Sequence, residues 1–598
     1  MNTNLQHKTM TADLCIVGGG LSGCFAALAA ARRGSRVILV QDRPMLGGNA
    51  SSEIRMWVRG AKGRFDRETG FLSELEEKNI YGNPSLVHSL FDATLYGMLR
   101  DEKNITLVLN ASVCDADMDG DRIVAVHAWQ LTTYTWITVR ATLFADCSGD
   151  SILAPLSGAL CRKGREAKAE FGETLGHDEA DDHTMGMSII LAARETDHPV
   201  KFIPPSFATV YETDEAFENG DIKEHALSRD HNIGTSGGNL WWVELGGHMD
   251  SLHDAEKVRD QLIANIYGVW DHIKNRGDHG KENWELEWVG FLPGKRETGR
   301  YVGDVIVTEH DLVSGGHFED EVAYGGWPMD DHNPYGMEKN PYDNIPSISI
   351  PVDIYGLPYR ALYSKNIKNL MFAGRNISVT HAALSSTRVM GTCALLGQAM
   401  GTGAALAIAH GVSPRGVYES YVNELQEAVL EDGVFLPHVL RKPSALTLSA
   451  KLNISDDERA VLFNGLERPR NEIYENSIAM ELTDALTFTF DAPTALPTLR
   501  LRMDPDYTRE SISINRKMRV FAMKLHTGKD FKPVHVAAGI VKAFSVYADG
   551  KKVFETDNNY VSLVKIPLGL TAKEVRIEWH QTHGADKVRL FAADFIEG

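Results

Sequence analysis

Residues 13–40 read DLCIVGGGLSGCFAALAAARRGSRVILV: a short apolar strand, a glycine turn, an alanine-rich helix, a stop at Gly34 and a second apolar strand. Gly18, Gly20 and Gly23 stand in G-x-G-x-x-G spacing at the strand-to-helix junction. Gly18 permits the tight turn, Gly20 lets backbone approach a pyrophosphate, and Gly23 removes a side chain where helix meets strand. Phosphates would lie at the helix N-terminus, where free N–H groups and the dipole favour anions. A tight turn with no ligand is the plain alternative. The second strand of such a unit usually ends in a carboxylate that binds ribose, whereas here Val40 is followed by Gln41 and Asp42. The Gln41 amide oxygen would accept one side of that contact. Asp42 either supplies the other side or is an exposed turn residue.

Residues 43–57 read RPMLGGNASSEIRMW. Gly47, Gly48 and Asn49 resemble the loop that lets a chain run beside a flavin's ribityl and pyrophosphate. In residues 141–150, ATLFADCSGD, a strand closes on Cys147, Ser148 and Gly149, similar to the small-residue turn of two-domain flavoproteins. A third strand ends at Gly374 and Arg375 in NLMFAGRNISVTHAALSSTRVMGTCALLGQAMGTGAALA, residues 369–407. Gly397, Gly401 and Ala405 follow four apart, on one helical face suited to close packing. That helix is expected to start near Gly391 and Thr392, with its positive end toward the flavin's pyrimidine edge, worth ~0.3–2 kcal/mol to an anionic reduced ring.

Together with PGKRETGR at 293–300 and PYRALY at 358–363, these stretches resemble the FAD-dependent oxidoreductase family of bacteria, relatives of the succinate dehydrogenase and fumarate reductase flavoproteins. The likeness runs over about residues 12–410. It implies an α/β fold: a Rossmann-like FAD-binding domain in two parts, 1–160 and 346–437, around a cap at 161–345. No second strand–G-x-G-x-x-G–helix unit and no Cys-x-x-Cys pair are present, which argues against a disulfide-reductase mechanism. No histidine lies between Gln41 and Ser85, so noncovalent FAD is expected.

The composition agrees. Among 598 residues, 81 acidic and 61 basic side chains give a formal charge of −20, a field that repels nucleic acid and anionic lipid. The six cysteines lack zinc-site or disulfide-scaffold spacing, the scattered histidines suggest no metal site, and no signal-like segment opens the chain. No apolar run reaches the ~18 residues of a membrane span. A cytoplasmic location is therefore expected, with the subunit count, monomer or homo-oligomer, open.

The cap would orient substrate and exclude water over the flavin. Its tryptophans, Trp241, Trp270, Trp284, Trp288 and Trp327, read first as packing residues and second as sugar platforms. Residues 330–346, DDHNPYGMEKNPYDNIP, read as a loop, a lid or a linker. His381 is the candidate catalytic base, a neutral imidazole taking a hydroxyl proton as hydride leaves for flavin N5. Arg296 and Arg388 are candidate clamps for substrate oxygen atoms. Glu53 and Arg55 read as an ion pair near the same pocket.

After Pro437, alternating segments such as ALTFTFDAP, TLRLRM, EVRIEW and KVRLFAADF indicate an all-β sandwich over 438–598, with a hairpin turn at Asp549 and Gly550. The leading expectation is an FAD-dependent dehydrogenase or oxidase acting on an alcohol carbon of a sugar, polyol or related small hydroxylated metabolite, with an unassigned electron acceptor. A fumarate reductase-like enzyme acting on an activated C=C bond is the second reading, with arginines dominating its site. A non-catalytic flavin-containing carbohydrate-binding protein is the third.

Overall fold

The computed structural model describes residues 5–63, 65–213, 239–240, 243–276, 279–338, 348–471, 473–505 and 533–597. Strand β1 (Gln6–Val17) leads through the glycine turn into helix α1 (Leu21–Arg32), then β2 (Val37–Val40), α2 (Phe71–Gly82), α3 (His88–Arg100) and β3 (Ile105–Val108). Strands β4 (Ala111–Asp119), β5 (Arg122–Gln130) and β6 (Thr135–Asp146) complete the first run. The sheet order is β3-β2-β1-β6-β5-β4, and strand Leu370–Phe372 adds in parallel to the end of β6. β1 pairs in parallel with both β2 and β6, so its C-terminal end lies at the centre of a parallel, Rossmann-like core. All of β2 and the last four residues of β1 are buried, as a parallel sheet covered on both faces requires.

Helix Met390–His410 packs on α1. A Cβ at Gly397 would stand 2.1 Å from Ser22 O, and one at Gly401 2.2 Å from Ala26 O. The fourfold spacing is therefore a track along which two backbones meet. This 21-residue helix also corrects the membrane argument: it is long and apolar enough to cross a bilayer, but it is buried in the core of the protein.

Between the two flavin-type segments, a separate apolar cluster gathers Met187, Leu191, Val258, Ile266, Trp270 and Trp284 around helix Ala255–Asp271. Trp270 and Trp284 are core residues, matching the packing reading; Trp241 lies outside the described residues, as do 339–346 of the expected loop.

The C-terminal part is an antiparallel sheet in the order 478–481, 587–596, 485–503, 563–582, 541–548, 551–556. It carries its own apolar cluster, including Phe488, Leu501, Phe544, Trp579 and Phe595. Asp549 (φ 46°) and Gly550 (φ 76°) form the expected hairpin turn, both with positive φ.

Candidate functional site

The ends of four parallel strands converge. Gly18 N donates to Val40 O at 2.8 Å, Cys147 N to Val17 O at 2.7 Å and Ala373 N to Asp146 O at 3.2 Å. At Gly18 (φ 103°) a Cβ would stand 2.4 Å from Ser148 N, so glycine is required both by conformation and by space. Gly47 N donates to Gly19 O at 2.8 Å, which lays the second glycine loop beside the first turn. A Cβ on Gly48 would meet Gly20 Cα at 3.1 Å.

These motifs are tied by a partly buried polar chain. Asn49 Nδ2 donates to Lys295 O at 3.0 Å, and Lys295 Nζ to Asp150 Oδ2 at 2.8 Å. Asp150 Oδ1 accepts from Arg375 Nη2 at 2.8 Å. The Arg375 guanidinium lies against Gly149, where a Cβ would approach Cζ to 2.6 Å. Burial opposes ionisation of Asp150, but Arg375 and then Lys295 hold its carboxyl below the ordinary range.

Gln41 is buried, and its Oε1 accepts from Gly19 N at 2.6 Å while its Nε2 donates to Met45 O at 3.3 Å. The amide thus braces the glycine turn. Asp42 is largely exposed beside Arg43, 3.6 Å away. Glu53 and Arg55 do not pair with each other as expected: Glu53 faces Arg43 at 3.7 Å, and Arg55 lies over the Trp288 ring at 4.0 Å.

The start of helix Met390–His410 also differs from expectation. Gly391 N donates to Arg59 O at 2.7 Å, a Cβ there would meet Arg59 O at 2.8 Å, and Thr392 Oγ1 donates to Glu68 Oε1 at 3.2 Å. On the side of Gly391 and Thr392 the helix end is closed by this chain's own carbonyl and carboxylate, not open to a flavin. Sequence spacing places a helix end but not what packs against it.

An FAD fits the cradle that remains. Three glycine segments leave backbone without side chains around one point. Beside them, polar atoms are buried without a hydrogen-bond partner among the described residues: Ser51 Oγ, Arg375 Nε and Asn376 Oδ1. Such atoms are costly unless a polar group meets them.

Next to this cradle lies a dense charged cluster. His381 opens helix His381–Thr387, and its backbone N donates to Glu166 Oε2 at 2.8 Å. Its Nδ1 lies 3.0 Å from Glu297 and its Nε2 3.0 Å from Asp331 Oδ1. Burial disfavours a charged ring, yet Glu297 and then Asp331 outweigh it and lift the His381 pKa to about 10. The neutral imidazole expected from sequence is therefore corrected: both nitrogens donate to carboxylates, and an imidazolium cannot accept a proton.

Arg296 and Arg388 are brought into the same cluster. Arg296 donates from Nη1 to Gly186 O at 3.0 Å, with Nη2 3.1 Å from Glu244 Oε2. Arg388 donates from Nη2 to Asp330 O at 2.9 Å, and its Nε is buried without a partner among the described residues. Burial, with a further push from Arg296, lowers the Arg388 pKa. Burial alone would raise Glu244, but Arg296 and then His332 bring it down to about 2. Glu244, Glu297, Asp330, Asp331 and His332 are the residues that sequence reading missed. Strand Met329–Asp331 carries two of them, with His332 following, in a segment whose composition reads as a loop. The signal available was the run Asp330-Asp331-His332 itself. Among the described residues no group of His, Cys, Asp and Glu is arranged to hold a metal ion.

Solved structures similar to this chain include a geranylgeranyl bacteriochlorophyll reductase-like protein from Thermoplasma acidophilum, with 14% identity, 71% of this chain and 86% of that one covered, and a TM-score of 0.31. The OxyS anhydrotetracycline hydroxylase from Streptomyces rimosus shares 10% identity over 71% of this chain and 70% of its own, with a TM-score of 0.31. Quinol fumarate reductase FrdA from E. coli shares 13% over 71% and 78%, with a TM-score of 0.27. The sequence profile of the FAD dependent oxidoreductase family matches residues 13–429, more than two-thirds of the molecule, and the chain belongs to that family of FAD-containing enzymes.

Proposed function

We propose that the chain passes hydride from its flavin to an activated C=C bond of a small molecule bearing a carboxylate or comparable anionic oxygen group. The observation that carries this reading is the pair Arg296 and Arg388, largely buried and close enough to repel one another, with Arg388 Nε unpartnered among the described residues. Guanidinium forks match carboxylate oxygens, and burial keeps them free of competing water. Bound FAD would be held by the backbone at Gly18–Gly20 and Gly47–Gly48, with Ser51, Arg375 and Asn376 as polar partners, and would supply the hydride chemistry. Within the protein, Arg296 and Arg388 bind and orient the substrate anion. His381, charged and backed by Glu297, holds a proton at Nε2 against Asp331.

The second reading, oxidation of an alcohol carbon on a sugar or polyol, needs that proton to be accepted instead. It is supported by Asp331, whose side chain keeps 13% exposure beside His381.

Anaerobic spectroscopy of the holoenzyme near ~450 nm, a band of the oxidised flavin, separates the two. Chemically reduced enzyme should be reoxidised by unsaturated carboxylates. Bleaching of oxidised enzyme by sugars or polyols, with no reoxidation by any unsaturated acid, would replace the first reading by the second.

A further inference from the structure

An unbroken alternation of charge joins the two arginines. Arg296 Nη2 lies 3.1 Å from Glu244 Oε2, and that same oxygen lies 2.8 Å from His332 Nδ1. On the other side of the ring, His332 Nε2 is 3.3 Å from Asp330 Oδ2, which is 3.8 Å from Arg388 Nη2. His332 sits at the midpoint, with 10% of its side chain exposed. With a neutral ring, two arginines and two carboxylates cancel. With a protonated ring, one positive charge is left over in a space where solvent screens it poorly.

We propose that His332 is a charge switch for the arginine pair: its protonation engages Glu244 and Asp330, releasing Arg296 and Arg388 to an anionic group, so that such a ligand binds together with one proton. The proposal rests on the anion-binding reading given above and adds what regulates that site. His332 is a positioning residue, since it acts through the arginines and not on the substrate.

The charged groups facing His332 come from every neighbouring element: Glu244 from strand Glu244–Leu245, Arg296 just after strand Gly294–Lys295, Asp330 and Asp331 from strand Met329–Asp331, and Arg388 from the end of helix His381–Thr387. Behind Asp331 stand His381 and Arg165. His381 is held charged by Glu297 and Asp331, and His332 is the second histidine of this set, placed between Glu244 and Asp330. Burial works against the charged ring, but attraction to Glu244 prevails and its pKa lies above the ordinary value.

The test uses holoenzyme and malonate as a non-reducible dicarboxylate probe. Binding is followed by perturbation of the flavin spectrum from about pH 5 to about pH 9, the range in which a histidine changes charge. Calorimetry in two buffers of different ionisation heat counts protons. The expected result is uptake of one proton per malonate on the alkaline side, with affinity falling about tenfold per pH unit there. His332→Gln should bind weakly with a flat profile, and His332→Lys should keep tight binding to higher pH. Equal affinity at every pH, zero proton uptake by the wild type, or an unchanged slope in FAD-loaded His332→Gln overturns the switch while leaving the anion site standing. Absence of malonate binding at any pH overturns the anion site itself and the switch with it. Should His332→Gln fail to fold, the wild-type proton count alone decides.

Discussion

Asp331 Oδ1 and His381 Nε2 lie 3.0 Å apart, and Glu297 meets Nδ1 on the opposite edge of the ring, also at 3.0 Å. A cation between a fully buried anion, Glu297, and a largely buried one, Asp331, is a pH-dependent element of stability. The folded pKa of His381, about 10, is raised above the ordinary 6.5, so its contribution is complete below the unfolded value and is lost as pH rises through about 10. Asp331 has the opposite sign: its folded pKa is lowered, and its contribution is lost as pH falls. His381→Ala would leave Glu297 to Arg300 alone and Asp331 to the more distant Arg165 and His332, at a cost below the about 3–5 kcal/mol of a wholly uncompensated buried charge near neutral pH. Urea unfolding of wild type and variant at pH 7 should show that gap, and the same comparison above the folded pKa should show it largely closed. An equal gap at both would mean the ring acts by shape alone.

Glycines in two helices should respond in opposite ways to alanine. Gly397→Ala or Gly401→Ala would drive a methyl group into the α1 backbone, costing about 1–3 kcal/mol or more because neither helix has room to retreat. At Gly97, inside α3, the position a Cβ would take has nothing within 4 Å. Gly97→Ala should therefore gain up to about 1 kcal/mol from helix propensity. Thermal melts of the three variants check both signs together.

What could be read from sequence follows from how far apart the determinants lie. The β1–α1–β2 unit was legible because residues 13–40 contain its strand, turn, helix and second strand in one short stretch. The Gly397–Gly401 track was legible because helical periodicity fixes a face. The tail's strands were legible by alternation, and the Asp549–Gly550 turn by its local chemistry. The site was legible only in part: His381, Arg296 and Arg388 do gather in one cluster, but their electrostatic state depends on Glu244, Glu297 and Asp331. Those carboxylates come from segments up to 137 residues from His381, and although Glu297 stands in PGKRETGR and Asp331 in the Asp330-Asp331-His332 run, nothing in either stretch says that it meets His381. The Asp330-Asp331-His332 run reads as loop because prolines and asparagines follow it, whereas in the fold its first two residues form a strand. The closed end at Gly391 was invisible for the same reason, since Glu68 and Arg59 arrive from the other end of the chain.

Asp146, fully buried at the end of β6, has no cationic partner among the described residues and is satisfied by donors alone. Oδ1 accepts from Ser148 N at 2.9 Å, Ser148 Oγ at 2.6 Å and Asn376 Nδ2 at 3.2 Å, while Oδ2 accepts from Leu153 N at 2.9 Å and Tyr301 OH at 2.7 Å. Burial still outweighs these bonds and raises its pKa. One carboxylate thereby joins two flavin-type strand ends to the segment leading into the charged cluster. Asp146→Ala strands several buried donors, each worth about 1–3 kcal/mol, so stability and FAD retention should fall together. Asp146→Asn keeps the shape but turns one of the two acceptor oxygens into a donor, and should recover less than half of the loss. The ratio of flavin to protein absorbance after gel filtration, with denaturant unfolding of the same samples, is the measurement.

The C-terminal sheet is fastened to the flavin-binding part by specific polar contacts, which bears on whether it is a detachable module. Ser562 donates from both N and Oγ to Glu77 in α2, at 2.9 and 2.5 Å. Tyr560 stacks on Tyr81 of the same helix with ring centroids 3.9 Å apart, and Lys565 Nζ reaches Asp432 Oδ1 at 2.6 Å. Burial raises the Glu77 pKa, and Arg502 and the two Ser562 donors oppose that rise. A double-mutant cycle with Glu77→Ala and Ser562→Ala should give a coupling energy of about 1–2 kcal/mol, the mark of a direct contact. A chain cut before residue 440 should aggregate or lose FAD, because α2 would expose surface that the tail now covers. Additive single costs together with a soluble, yellow truncated protein would instead make the tail an independent appendage, and its aromatic and polar faces would then have to be explained by something other than bracing α2.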